Sequence, residues 1–328
     1  MMTSMSGTMN DLELVPLSED NLNDLIEIAA RSRAIDPYQT RLTREEARAY
    51  SILDPDFDLN GLWLVHLEGK AVGFGGALIE KNRLDAGLDD GFVEVDVLPE
   101  YRGRGIEQFL LTRSLDHLRS KGIRMARARS LAIDEWRNNF LIAGAFHEAH
   151  RVYSLVRAGN SKPLHVAAPD GFEIERKNLT DCSDDDIIAI NDAYNDSFRD
   201  HFRSGPENYE RMINQRNSGS EKIVISLGMD GKKIAGICIT EVSPVRTRSG
   251  FMDAGWIEFL GIRPVYRGRG LGTALLVDGI ECLLDMGMNS LYMFVYAENS
   301  RALGMYRSLG FINDLDSIWW HRKLQNED

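Results

Sequence analysis

The stretch Val265-Tyr-Arg-Gly-Arg-Gly-Leu-Gly272 decides how the rest of the chain is read. It lies between an apolar run ending at Ile262 and a helix-patterned run beginning near Leu271. A strand that turns through glycines into a helix leaves several backbone N–H groups unpaired, with the positive end of the helix dipole behind them. Such a turn is an anion cradle. Glycine lets a ligand come close to the main chain, and Arg267 and Arg269 add positive charge, so a pyrophosphate-bearing ligand is the natural occupant. Two other phosphate loops fit poorly. The dinucleotide fingerprint Gly-x-Gly-x-x-Gly is broken by Thr273, and a Walker loop would need a lysine that is missing between Gly272 and Thr273.

The same words occur earlier in the chain. Pro99, Tyr101, Arg102-Gly-Arg-Gly105 and Gly122 return as Pro264, Tyr266, Arg267-Gly-Arg-Gly270 and Gly287, all at an offset of 165 residues. One offset across a strand exit, a loop and a helix stop predicts a duplicated architecture. The expected organisation is a disordered start over 1–10, a first domain over 11–160, a linker over 161–171 with two prolines, and a second domain over 172–328. In each half the pattern predicts a strand, two helices (the first-half pair begin near Ser18 and after Thr43, the second-half pair run from Asp184 to about Phe202 and after Pro206) and a hairpin. A loop, the strand entering the glycine turn, a helix, a strand, a short helix and a last strand follow. The second-half loop is expected to run to Gly255, and the first domain to end on strand-like residues 146–156. The fold class is therefore mixed α/β, or α+β, with two tandem copies of one twisted, largely antiparallel sheet flanked by helices.

The second copy resembles the GCN5-related N-acetyltransferase (GNAT) family. Its acyl-CoA loop, Gln/Arg-x-x-Gly-x-Gly/Ala, reads here Arg267-x-x-Gly270-x-Gly272, and Asn299, Tyr306 and Gly310-Phe311 look like the family's second segment. Among tandem members the chain is most similar to the mycothiol synthase group, including the run from Asn191 to Phe198. The resemblance implies acetyl-CoA as co-substrate and no metal. It implies that backbone amides from Arg267 through Gly268, Arg269, Gly270, Leu271 and Gly272 to Thr273 hold the pyrophosphate, and that the strand edge Leu260, Gly261, Ile262 pairs with the pantetheine arm. A bulge is expected at Gly261. Asn299 would hydrogen-bond pantetheine with Ala302 beside it, and Tyr306 would be the general acid that protonates the departing thiolate.

Direct transfer also needs a base, because a protonated amine has no lone pair with which to attack. Glu258 is the candidate: strict alternation would put it on one strand face with Trp256 and Leu260, where burial would raise its pKa. Some tandem members carry their glutamate at the position of Trp256, and Glu241 and Glu298 stay open as substitutes. In the first copy Glu107 stands where the loop has its last glycine, and Leu141 stands where the second copy has Tyr306. Leucine cannot protonate a thiolate, so the first copy is expected to be non-catalytic.

Composition narrows the partners. A net charge of −12 disfavours a sequence-independent nucleic-acid binder, which needs a basic face, and suits a cationic small-molecule amine as acceptor. Cys182, Cys238 and Cys282 show neither a disulfide framework nor metal-ligand spacing, and the seven histidines show no ligand spacing either. With no signal-peptide pattern and no long apolar run, the expectation is a cytoplasmic protein, monomeric or homodimeric, without membrane contact. The rival class is a non-catalytic acyl-CoA-binding or sensing module in which Glu258 and Tyr306 are structural.

Overall fold

The structure is a computed structural model that describes residues 12–38, 42–49, 51–54, 58–159, 166–199, 206–217, 222–247 and 250–324. The expected disordered start at 1–10, the first half of the expected linker, and the last residues of the helix expected to reach Phe202 lie outside the described residues. The chain forms two compact units.

The first unit runs through β1 (Leu12–Pro16), α1 (Leu22–Ser32), α2 (Arg44–Ala49), β2 (Leu62–Leu67), β3 (Lys70–Leu78), α3 (Lys81–Asp85), β4 (Asp90–Val97), α4 (Ile106–Ser120), β5 (Met125–Leu131) and α5 (Glu135–Ala143). Helix α2 opens on a reciprocal capping pair. Thr43 N–H donates to Glu46 Oε2 at 2.8 Å, and Glu46 N–H donates to Thr43 Oγ1 at 3.2 Å. Strands β1 to β4 form an antiparallel run. Strand β5 then joins β4 in parallel, over Asp90–Phe92 only.

The second unit contains most of β6 (His147–Ala158), then β7 (Glu173–Asn178), α6 (Asp184–Phe198), α7 (Tyr209–Asn217), β8 (Ile223–Asp230), β9 (Lys233–Thr247), β10 (Gly250–Ile262), α8 (Leu271–Asp285), β11 (Ser290–Tyr296), α9 (Ser300–Ser308) and the first part of β12 (Ile312–Lys323). Its strands stand in the order β7-β8-β9-β10-β11-β6, with β10 and β11 the parallel pair. Alternation along β9 builds two cores. Cys238 faces α8 and α9 with Leu271, Leu275, Ile280 and Tyr306, while Ile237 and Ile239 face α6 with Ile187 and Ile190.

Two features differ from the pattern reading. First, the compact units do not part at 161–171: residues 150–158 of β6 belong to the second unit, where Val152–Ala158 pair with β11, and β12 is in the second unit up to Ile318 and in the first from Trp319 onward. In the first unit the Trp320 indole N–H donates to Ser130 Oγ at 2.7 Å. Alternation shows that a segment is a strand but carries no record of which neighbour it pairs with. Second, the expected loop up to Gly255 is mostly hairpin, with Val242 to Thr247 of β9 paired to Gly250 to Gly255 of β10. Pro244 and several polar residues masked the strand signal there.

Candidate active site

Strand β10 ends at Ile262, residues Pro264–Tyr266 make one 3-10 turn, and α8 starts at Leu271. Gly268 and Gly270 hold φ of 79° and 90°, a region that side chains disfavour. The turn therefore needs its glycines for backbone shape. Arg267 N–H donates to Pro264 O at 3.3 Å and Thr273 N–H to Gly270 O at 3.1 Å. Among the described residues nothing accepts from the N–H groups of Gly268, Arg269, Gly270, Leu271 or Gly272 between them. These are consecutive unused donors at the positive end of a helix, with no atom within 4 Å of where a Cβ on Gly268 would lie.

The two arginines have different work. Arg267 was expected to add charge at the cradle, yet its Nε donates to Ile262 O at 3.0 Å and its Nη2 to Ser197 O at 2.7 Å. Its guanidinium clamps the end of β10 to the last turn of α6, where carbonyls have no intrahelical partner. Arg269 instead stacks its guanidinium over the Phe172 ring at 4.3 Å, and no described residue hydrogen-bonds or ion-pairs with it.

Before the loop the sheet splays. Among the described residues, strand β10 pairs with β11 only over Gly255–Ile257; β11 then continues on β6, and Leu260, Gly261 and Ile262 are held by β9 alone, opposite Cys238, Ile237 and Gly236. Their second edge is open to an added strand. The irregularity expected at Gly261 lies three residues earlier: Ile257 pairs with Thr240 and Phe259 with Ile239, so Glu258 is the extra residue of a bulge. A bulge resets the alternation. Trp256 stacks on Tyr292 at 5.0 Å and lies tilted against Phe294 at 5.4 Å, whereas Leu260 packs with the α8 core, so the two do not share a face as strict alternation required. Gly261 has a packing reason to be glycine, because a Cβ there would sit 2.7 Å from Ser197 Cβ and 2.8 Å from Phe198 Cε2.

Glu258 is solvent-exposed, although protein packs near its carboxyl. Desolvation there pushes its carboxyl above the usual carboxylate range. Of the substitutes, Glu298 is an exposed side chain 3.9 Å from His150 Nδ1, and Glu241 faces Trp256 across the β9–β10 ladder.

Helix α9 brings in the second segment. Asn299 caps it, Oδ1 accepting from Ala302 N–H at 3.1 Å. That leaves the Asn299 amide NH₂ as the group able to meet a ligand. Tyr306 is buried in the α8 core, edge-on to Phe311 at 6.4 Å. Burial, and then the neighbouring Cys238 thiol, push its phenol well above the usual range, so it stays protonated at neutral pH. No described residue hydrogen-bonds its hydroxyl. Cys238 is also the ladder partner of Leu260, and Leu260 packs against the same core as Tyr306. Thr273 Oγ1 donates to Met305 Sδ at 3.4 Å, tying the first turn of α8 to the residue before Tyr306.

Sequence reasoning missed the bulge at Glu258, the inward clamp of Arg267 and the Arg269–Phe172 stack. Only the clamp left a trace, because Ser32, Val97 and Arg102 recur as Ser197, Ile262 and Arg267 at the repeat offset. Among the described residues no group of three or more His, Cys, Asp or Glu converges as for a metal ion. No described helix is long and apolar enough to cross a membrane.

The chain matches the acetyltransferase (GNAT) family over residues 23–143 and again over 187–311. It is 25% identical over 318 residues to the mycothiol acetyltransferase of Amycolatopsis mediterranei, covering 93% of this chain and 97% of that protein. It is 28% identical over 255 residues to the mycothiol acetyltransferase of Renibacterium salmoninarum, covering 73% and 69%. A tandem GNAT protein from the clavulanic acid biosynthesis pathway superposes with a TM-score of 0.73 at 17% identity, covering 97% of this chain and 100% of that one. A GCN5-related N-acetyltransferase from Sphaerobacter thermophilus does so with a TM-score of 0.67 at 17% identity, covering 97% and 98%. With both copies matched and well over half of the sequence accounted for, the chain belongs to the acetyltransferase (GNAT) family and is a tandem N-acetyltransferase.

Proposed function

We propose that the second unit moves an acetyl group directly from acetyl-CoA to a primary amine of a small molecule. The observation that carries this reading is the row of N–H donors from Gly268 to Gly272 that no described residue uses, following a strand end, Leu260–Ile262, that among the described residues pairs on one side only. The donor set suits a pyrophosphate, and the unpaired edge of Leu260–Ile262 suits the amides of a pantetheine arm. Arg269, held over Phe172, adds a cation beside the phosphates at low conformational cost. Acetyl-CoA supplies the activated acyl group; the protein supplies position and two protons' worth of bookkeeping. Glu258 takes the proton that the amine must lose before or during attack, and its raised pKa makes it a better base than an ordinary carboxylate. Tyr306 gives its phenolic proton to the sulfur as the thioester C–S bond breaks, and its lack of a described partner leaves that proton for the task.

The relatives named mycothiol acetyltransferase support acetyl transfer to a small-molecule amine. The test is thiol release from acetyl-CoA against a panel of small primary amines, with product mass as second readout. Amine-dependent thiol release with an acetylated product is expected. Binding of acetyl-CoA without turnover on any amine would sink the proposal of direct N-transfer at this site.

A further inference from the structure

The first copy carries the same backbone cradle, but its occupants are its own side chains. Glu107 Oε1 accepts from Gly103 N–H at 2.7 Å, the counterpart of the unused Gly268 donor in the second copy. The carboxylate sits where a phosphate would. Its other oxygen is buried and has no partner. Further along, β4 leaves β5 after Phe92, as β10 leaves β11, yet the slot is filled. Arg137 reaches from α5 to donate through Nη1 to the carbonyl of Val95 at 3.0 Å and through Nη2 to the carboxylate of Asp96. Val95 is the counterpart of Leu260, whose strand edge is read above as the pantetheine slot. Asp96 is wholly buried and also takes Ser32 Oγ at 2.9 Å and Arg33 Nε at 2.9 Å. Burial pushes its carboxyl up, but Arg33 and Arg137 outweigh that and hold it well below the usual range.

The three intruding side chains align with the smallest residues of the second copy. At the repeat offset Asp96 corresponds to Gly261, Glu107 to Gly272 and Arg137 to Ala302. Glu107 and Arg137 bring groups that mimic part of the ligand, a carboxylate for a phosphate and a guanidinium for an amide donor, and Asp96 anchors Arg137 from a position where the second copy has Gly261 packed against Ser197 and Phe198. We propose that the first copy is a self-occupied acyl-CoA site, in which Glu107 and the Asp96–Arg137 pair replace the co-substrate, and that restoring the small residues opens it to CoA. This rests on the reading of the second copy's cradle and edge as its CoA site.

The experiment is calorimetric titration with CoA of the full chain, comparing wild type, E107G and D96G/E107G/R137A, each checked for folding by circular dichroism. Wild type is expected to bind one CoA, the triple variant two, and E107G a second CoA more than tenfold weaker than the first. Two sites in wild type, or one site in both folded variants, overturns the proposal. If the triple variant does not fold, E107G decides: a second site supports self-occupation and its absence overturns it. A wild type with no CoA site would instead refute the reading of the second copy, a different result from the others.

Discussion

The two glycine loops of this chain are the same piece of backbone put to different ends. In the first copy Arg102 donates to Val97 O at 3.1 Å and Ser32 O at 2.7 Å; in the second Arg267 donates to Ile262 O at 3.0 Å and Ser197 O at 2.7 Å. Gly103 and Gly105 hold φ of 73° and 86°, close to the 79° and 90° of Gly268 and Gly270. Asp134 caps α5 as Asn299 caps α9. Everything that shapes the turn is present twice. What differs is side-chain volume and charge in the space around it, together with one backbone detail: Val93 stays in the ladder opposite Ala77, whereas its counterpart Glu258 is bulged out. The loop is therefore scaffold, and in the proposed function the chemistry depends on what the scaffold leaves open and on the two groups, Glu258 and Tyr306, whose counterparts in the first copy are Val93 and Leu141.

The sharpest way to break that contrast is to move the first copy's carboxylate into the second. A Cβ on Gly272 would lie 3.5 Å from Ile262 Cγ1, an ordinary contact, so Gly272→Ala should keep CoA affinity within a few-fold. Gly272→Glu should reach back to Gly268 N–H as Glu107 reaches Gly103. Losing a charge-assisted bond and gaining repulsion amount to about 3 kcal/mol, or roughly a 100-fold weaker Kd for CoA. Equal affinity for the alanine and glutamate variants would show that phosphate does not bind there.

Next in size is Tyr306→Phe. Removing a general acid costs on the order of 100-fold in kcat. The KM for acetyl-CoA should hardly move, because the ring still fills its place against Phe311. Replacement by the first copy's leucine should lose the rate and also some stability, since a smaller side chain leaves a void. An unchanged kcat in the phenylalanine variant would return Tyr306 to the core.

Glu258→Gln probes the bulge, with an expected rate loss of about tenfold or more. In wild type kcat/KM should rise with pH through a midpoint above the ordinary glutamate value of about 4.3, since desolvation raises this carboxyl; the glutamine variant should lack that limb. The stability sign is opposite. A carboxyl whose folded pKa is raised destabilises the fold as pH climbs through that pKa, so at neutral pH the glutamine variant should melt slightly higher than wild type. A lower Tm would mean that the carboxylate is structural.

Much of the fold and of the candidate site is legible in the sequence, and the limits have identifiable causes. The repeat, the helix and strand order and the loop follow from glycine spacing and apolar period, which are local. Tyr306, Asn299 and Gly310-Phe311 could be singled out because they recur at family spacing. The bulge could not be read, because a strand of Trp256, Ile257, Glu258, Phe259 and Leu260 gives no sign of which residue its neighbour skips. Nor could the inward turn of Arg267, which depends on the last carbonyls of a helix seventy residues earlier. Glu107 was readable as an obstacle, but its bond to Gly103, and the arrival of Arg137 at Val95, depend on rotamers and on the approach of α5 to β4.

The smallest effect separates two roles carried by one residue. Asn299 Oδ1 caps α9, and Asp134 Oδ1 does the same for α5 by accepting from Arg137 N–H at 3.0 Å. Asparagine and aspartate cap equally well, so Asn299→Asp copies the first unit's cap into the second with Tm held within about a degree. Asn299→Ala loses the cap and should cost about 1 kcal/mol. Only the aspartate variant keeps the helix start while replacing the amide NH₂ by an acceptor, so it isolates the proposed pantetheine contact. A several-fold rise in the KM for acetyl-CoA with an unchanged melting temperature is expected, equivalent to about 1 kcal/mol for one neutral hydrogen bond. Unchanged KM in that variant would make Asn299, like Asp134, a helix cap and nothing more.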